Sequence, residues 1–249
     1  MATNNQLLLD AIIKQEMEGH AENISLNDFF KFYSALQILK EKALSYDEIN
    51  EGITERNNDG GVDSIYLFVN GKLVKEADLA NICKTNIDIE FVLIQSKYEN
   101  AFLEEPLRKS SRLCRNLLDL NFNYESDAGQ YNEQVLSAFE LFKNAYVGLI
   151  TKKPKLRVNV YYASKSVEIN PNVEKQAASL EDDISAKLPG SEAKVHFLCA
   201  EKLVKMAQEK PTNVSYLKKT EAPLSTSDQV FMALTNLSDC FDRATREDE

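Results

Sequence analysis

The chain has 249 residues, with 29 Lys and Arg against 39 Asp and Glu for a formal net charge of −10. That length holds one large domain or two small ones, and the acidic balance argues against a generic polyanion binder, although a local basic patch is enough for phosphate contacts. Only two histidines are present, Cys83, Cys114, Cys199 and Cys240 lack metal-site spacing, and there is neither a membrane-length apolar run nor a signal-peptide start, so we expect reduced cysteines, no histidine-centred chemistry, no membrane partner and a cytoplasmic location.

The first fifty residues read as helices. Leu7, Leu8, Ala11 and Ile12 recur near helical spacing over 4–18, and Gly19 offers a stop. Ser25, with Asp28 three residues on, resembles a capping box and opens a helix to about Lys42. Its stripe of Phe29, Phe32, Tyr33, Leu36 and Leu39 is explained by core packing. Ser45 and Glu48 form a second capping-box pattern, for a short helix ending near Glu55. Asn57-Asn58-Asp59-Gly60-Gly61 is turn chemistry, in which Asp59 either holds the turn or acts as an acid.

A strand follows from Gly61 to Val69, with Asp63, Ile65, Leu67 and Val69 on one face. Asn70-Gly71 predicts a type I′ hairpin turn and a return strand at Lys72–Val74. Residues 76–88 are less periodic and suit a short helix or crossover. Ile89–Ile94 is an apolar, β-branched and aromatic run suited to a central strand covered on both sides. Alternation puts Phe91, Leu93, Gln95 and Lys97 on one face. A lysine after such a run is costly to bury unless paired or used. Taken singly, a glycine turn and a strand-ending lysine have bland explanations, since such lysines usually snorkel to water. With Asp63 beside Gln95 and Lys97, the three make a polar cluster at a sheet edge, equipment for metal-assisted phosphodiester hydrolysis.

Gly60-Gly61-Val62-Asp63, a hairpin, then Ile94-Gln95-Ser96-Lys97 resembles the PD-(D/E)XK nucleases in their Gln-x-Lys variant, as in Mrr-type restriction endonucleases. More narrowly, Asn58 to Tyr66 followed by Leu93 to Tyr98 resembles the N-terminal part of the abortive infection, phage resistance (AIPR) family. The match covers some forty residues, with weaker similarity at 158–163 and 195–203. The resemblance implies a restriction-endonuclease-like α/β fold: a mixed central sheet flanked by helices under a helical N-terminal layer. It implies Asp63 as the metal-binding acid, Gln95 at the second acidic position and Lys97 as the catalytic lysine. Mg²⁺ or Mn²⁺ would be held by Asp63, Gln95 and the Ser96 backbone carbonyl. Gln95 removes one negative charge, which families of this variant replace with an acid from an upstream helix; Glu41, Asp28 and Asp59 are the candidates. The implied activity is an endonuclease on nucleic acid, DNA before RNA, in anti-phage defence; a homodimer would suit cleavage of both duplex strands. The alternative is a nuclease scaffold kept as a binding or regulatory module.

Beyond Lys97, a helix is expected over 103–120, with Pro106 in its first turn and Arg108, Lys109, Arg112 and Arg115 along one side. That side is either a solvated basic face or a phosphate-contacting ridge. After a loop at 121–130 comes a helix over 131–146. Lys152-Lys153-Pro154-Lys155 is a second candidate backbone contact, leading into a strand at Val158–Tyr162. A helix over 171–188, a strand at 195–199 and a helix over 200–209 follow. The pattern loosens beyond Thr212. We expect one nuclease-like domain over 1–220, then 221–249 as a tail, with an apolar, strand-like stretch at 230–237 and a frayed charged end at 243–249. The resemblance implies a larger C-terminal region following this stretch, as in AIPR proteins.

Overall fold

The computed structural model describes residues 2–19, 24–54, 57–75, 86–124, 129–209, 224–227 and 230–232. It divides into two compact units, Met1–Lys210 and Pro211–Glu249. The first unit is a mixed α/β layer structure. Its five-stranded sheet has the order β2-β1-β3-β4-β5, built from β1 (Ser64–Val69), β2 (Lys72–Leu73), β3 (Asp88–Lys97), β4 (Lys155–Ser164) and β5 (Glu192–Leu198). β2, β1 and β3 are antiparallel, and β3, β4 and β5 are parallel.

One face of the sheet carries α1 (Asn4–Glu18), α2 (Leu26–Leu39), α3 (Tyr46–Glu51) and α7 (Ala200–Gln208). The other carries α4 (Glu104–Leu117), α5 (Glu133–Leu149) and α6 (Pro171–Lys187). Alternation along β1 and β3 feeds both layers. Ile65, Leu67, Phe91 and Leu93 pack toward α4–α6, while Tyr66, Phe68, Val92 and Ile94 pack toward α1–α3. Phe91 is fully buried, stacked on Phe142 with ring centres 4.5 Å apart and edge-on to Phe139 at 5.1 Å. β3 is therefore a central strand, with every residue from Ile89 to Ser96 buried.

Local sequence explains most element ends. Ser25 and Ser45 cap α2 and α3 as their spacing predicts, and Glu48 completes a capping box. Thr3 and Gln6 make a further box at α1. Asn70 (φ 51°) and Gly71 (φ 76°) both have positive φ, as a type I′ turn requires. Several boundaries differ from expectation: β1 begins at Ser64 rather than Gly61, which leaves Asp63 just outside the strand, α2 ends at Leu39 rather than near Lys42, and β5 begins at Glu192 rather than Val195. α3 stops at Glu51, not 55, because residues 52–54 leave the helix to flank β1: Ile53 bridges Ser64, and Thr54 N–H donates to the Asp63 carbonyl at 2.9 Å. β4 begins three residues earlier than expected, its basic start alternating with buried Leu156 and Val158. α4 is shorter than 103–120 and α5 runs to Leu149.

In the second unit, β6 (Leu224–Ser227) pairs antiparallel with β7 (Val230–Met232). The expected crossover over residues 76–85, part of the loop at 125–128, the 212–223 stretch, the rest of the apolar stretch at 233–237, the end of the tail, and Cys83 and Cys240 lie outside the described residues. Cys114 and Cys199 are free thiols; burial pushes the Cys114 thiol up to about 12. Among the described residues, no helix is long and apolar enough to cross a membrane.

Candidate active site

Asp63 stands just before β1, at the mouth where β1 and β3 part. Its backbone N–H donates to the Ile94 carbonyl at 2.7 Å. The last ladder pair is Ser64 opposite Ile94, so one step further Asp63 faces Gln95. The side chain is 1% exposed. Oδ2 accepts from the Ser96 backbone N–H at 2.8 Å and from Gln95 Nε2 at 2.5 Å. The carboxylate thus extends the ladder past the end of β1. Gln95 and Ser96 reach it as donors; Gln95 Oε1 and the Ser96 carbonyl are the oxygens that the resemblance would direct at a cation.

Three backbone features fix that position. Thr54 Oγ1 donates to the Val62 carbonyl at 2.7 Å, tying the entry to β1. Gly61 N–H donates to Asp59 Oδ1 at 2.8 Å, closing the preceding turn. Gly61 (φ +82°) lies against α4, where a Cβ would come within 2.7 Å of Lys109 Cβ. Ser110 Oγ donates to the Gly61 carbonyl at 3.0 Å, so α4 is docked directly on the glycine turn.

Lys97 ends β3 half-buried, on the same strand face as Gln95. Its charge reaches Asp59 and, at the start of α4, Glu105. Burial pushes the Asp59 carboxyl up; the Gly61 N–H pulls it back, the Asp63 charge raises it further, and Lys31 and Lys97 lower it. Asp59 therefore holds the turn and also stands in the electrostatic field of the cluster. Among the described residues, no three His, Cys, Asp or Glu side chains gather as a metal-binding group; Asp59 and Asp63 stand at this edge, with Glu105 also in the field of Lys97.

The helical layer sends a base to Asp63 where an acid was expected. Lys31 of α2 places Nζ 2.7 Å from Asp63 Oδ1, with its side chain 12% exposed. Asp28 bonds with Ser25 at the start of α2, and Glu41 lies exposed in the 3₁₀ turn that follows the helix. The available signal for Lys31 was its place inside Phe29-Phe30-Lys31-Phe32-Tyr33, a cation within an aromatic run.

The basic residues divide. Arg108 and Arg112 are exposed on α4. Lys109 pairs with Glu105 at 3.0 Å, and Arg115 lies 3.6 Å from Asp183 of α6. Lys152 and Lys153 are exposed in the 3₁₀ turn before β4. Lys155 pairs with Asp88 at the start of β3, whereas Ser164 pairs with Lys97 at its end. Lys152 and Lys153 are therefore at the opposite end of the sheet from Lys97, about 30 Å away along ten residues of strand.

These features define a mixed α/β protein with a buried acid–amide–lysine edge. No protein-family model, curated protein or solved structure matches the chain.

Proposed function

We propose that the chain is a metal-dependent nuclease, hydrolysing phosphodiester bonds at the Asp63 edge of the sheet. What carries this is one juxtaposition: a buried acid opposite Gln95, with Lys97 next along the same strand face. The likeness of the same residues to the AIPR and PD-(D/E)XK patterns adds the nucleic-acid substrate, DNA before RNA, and the anti-phage role. A homodimer would bring two such edges to a duplex.

The residues suit a divalent cation such as Mg²⁺ or Mn²⁺. Gln95 and Ser96 hold only Asp63 Oδ2, so Oδ1 is left to charged neighbours, at present the Lys31 ammonium at 2.7 Å, and Asp59 lies within electrostatic reach of it. Hard cations take carboxylate and amide oxygens, so Asp63 and Asp59, with Gln95 Oε1 and the Ser96 carbonyl, would hold it. The bound ion would supply Lewis-acid charge at a phosphate oxygen. Gln95 Nε2 and the Ser96 N–H fix the Asp63 carboxylate, which spares reorganisation during reaction. Lys97 orients the attacking water and offsets charge growing on the phosphate. Exposed Arg108 and Arg112 on α4 would hold the backbone beside it.

The test is cleavage of labelled single- and double-stranded DNA and RNA by the full chain in Mg²⁺, Mn²⁺ or EDTA, against Lys97→Ala. We expect cation-dependent cleavage that falls at least about a hundredfold in Lys97→Ala. Equal degradation by both proteins would retire the assignment. The second reading, a scaffold kept for binding, is favoured by the neutralisation of Asp63 by Lys31; it predicts nucleic-acid retention without cleavage under every condition.

A further inference from the structure

Lys31 is the partner of Asp63 that strand alternation does not supply. Its ammonium comes from α2, in the helical layer, to a carboxylate 1% exposed. The contact is close, 2.7 Å, and is made to Oδ1. Lys31 pairs with that oxygen, while Gln95 and Ser96 satisfy the other. Lys31 also lies in the field of Asp59. Asp59 and Asp63 thus stand in the cluster with the ammoniums of Lys31 and Lys97.

Resting on the hydrolase reading, we propose that Lys31 is the resident cation of this site, and that a divalent ion binds at Asp63 only by displacing it. An ammonium and a doubly charged ion on the same carboxylate oxygen would repel strongly in a poorly solvated position. The carboxylate can move little, because its other oxygen is anchored. Lys31 can move: its four-carbon stem swings the ammonium away without any shift of α2. A phosphate group arriving at the edge gives that displaced ammonium a new anionic partner. Cation and nucleic acid then favour each other's binding, since each relieves a cost imposed by the other. Lys31 is a positioning residue, holding the acid in a metal-free form that substrate releases.

The experiment is calorimetric titration of Mn²⁺ alone into the full chain, wild type beside Lys31→Met, Lys31→Gln and Lys31→Arg, with Asp63→Asn reporting binding elsewhere. We expect Mn²⁺ to bind Lys31→Met and Lys31→Gln at least about tenfold more tightly than wild type. Lys31→Arg keeps the charge and stays near the wild-type affinity. Thermal unfolding in EDTA should show the two neutral variants less stable than wild type, with Mn²⁺ raising their midpoints more than its own. Lys31→Gln retains a polar end and keeps the test open if Lys31→Met does not fold. Equal or weaker Mn²⁺ binding in the neutral variants, with wild-type cleavage intact, overturns this proposal alone. Absence of Mn²⁺ binding in every protein, together with absence of cleavage, overturns it along with the hydrolase reading.

Discussion

A carboxylate buried as deeply as Asp63 needs neighbours that replace the lost water. Here a backbone N–H, an amide and an ammonium do so. Removing one side of such a pair leaves an uncompensated buried charge and costs about 3–5 kcal/mol, so substitution of Asp63 should destabilise the fold whatever its chemistry. A second buried acid, Glu90, is satisfied differently. Lys42 Nζ lies 2.6 Å from Oε2, and Asn159 Nδ2 donates to Oε1 at 2.9 Å. The charged Glu90 carboxylate can only accept, so Asn159 turns its oxygen to His196, 3.2 Å from Nε2. That fixes the proton of neutral His196 on Nε2. Burial holds the His196 pKa below 6.5, and the nearby Lys194 charge lowers it further. The unfolded chain therefore takes up a proton near its ordinary value that the folded imidazole resists. Stability contributed by the neutral ring is complete above about pH 6.5 and is lost as pH falls through the depressed folded pKa. Thermal unfolding across that range should show wild type losing more stability on acidification than His196→Gln. Parallel pH profiles would mean that the ring is effectively solvated.

At the scale of elements, the docking of α4 on the Asp59–Gly61 turn joins the basic helix to the acidic edge. Gly61 and Gly71 both have positive φ, but only Gly61 has a neighbour where a Cβ would go. Alanine at Gly71 should cost about 1 kcal/mol, the backbone penalty alone. Alanine at Gly61 should cost about 2–4 kcal/mol, because Lys109 and the Pro106 carbonyl must also give way. Urea unfolding of both variants measures the difference, and equal losses would mean that α4 does not bear on the turn. This contact also marks how far the sequence could be read. The Asn70-Gly71 hairpin, the two faces of β3 and the caps at Ser25 and Ser45 depend on neighbours within a few residues, and they stand where the pattern places them. The alignment of Asp63 with Gln95 was a condition rather than a consequence of strand alternation, because the hairpin sets β1 against β2 while the β1–β3 register is a long-range pairing. The early end of α3 was equally out of reach, because it depends on residues 52–54 pairing beside β1, with Tyr66 packed against Gly52. Lys31 was hidden for the same reason. Its helix has an apolar stripe that core packing fully accounts for, and its partner lies in a strand edge that no helical period can indicate.

For the whole molecule, the net charge of −10 sets a repulsive background for any polyanion. Binding then requires a face where cations gather locally, and among the described residues two candidate positions lie at opposite ends of the sheet. Arg108 and Arg112 lie on the helix docked against the Asp63 turn, whereas Lys152 and Lys153 precede the start of β4. Each phosphate neutralised by a basic side chain releases condensed counterions, so the salt dependence of affinity counts the contacts made. On the hydrolase reading, phosphates sit beside Lys97, which places α4 in contact and the β4 entry about 30 Å away. Binding of the full chain to a short DNA duplex in EDTA, measured across salt concentrations, separates the two positions. Arg108→Gln with Arg112→Gln should weaken binding at every sequence and lower the slope of log affinity against log salt by about 1–2. Lys152→Gln with Lys153→Gln should leave that slope unchanged on a duplex too short to span the sheet. The reverse pattern would put the nucleic acid on the β4 entry and detach it from Asp63, so that the acid–amide–lysine edge would have to be explained by stability alone.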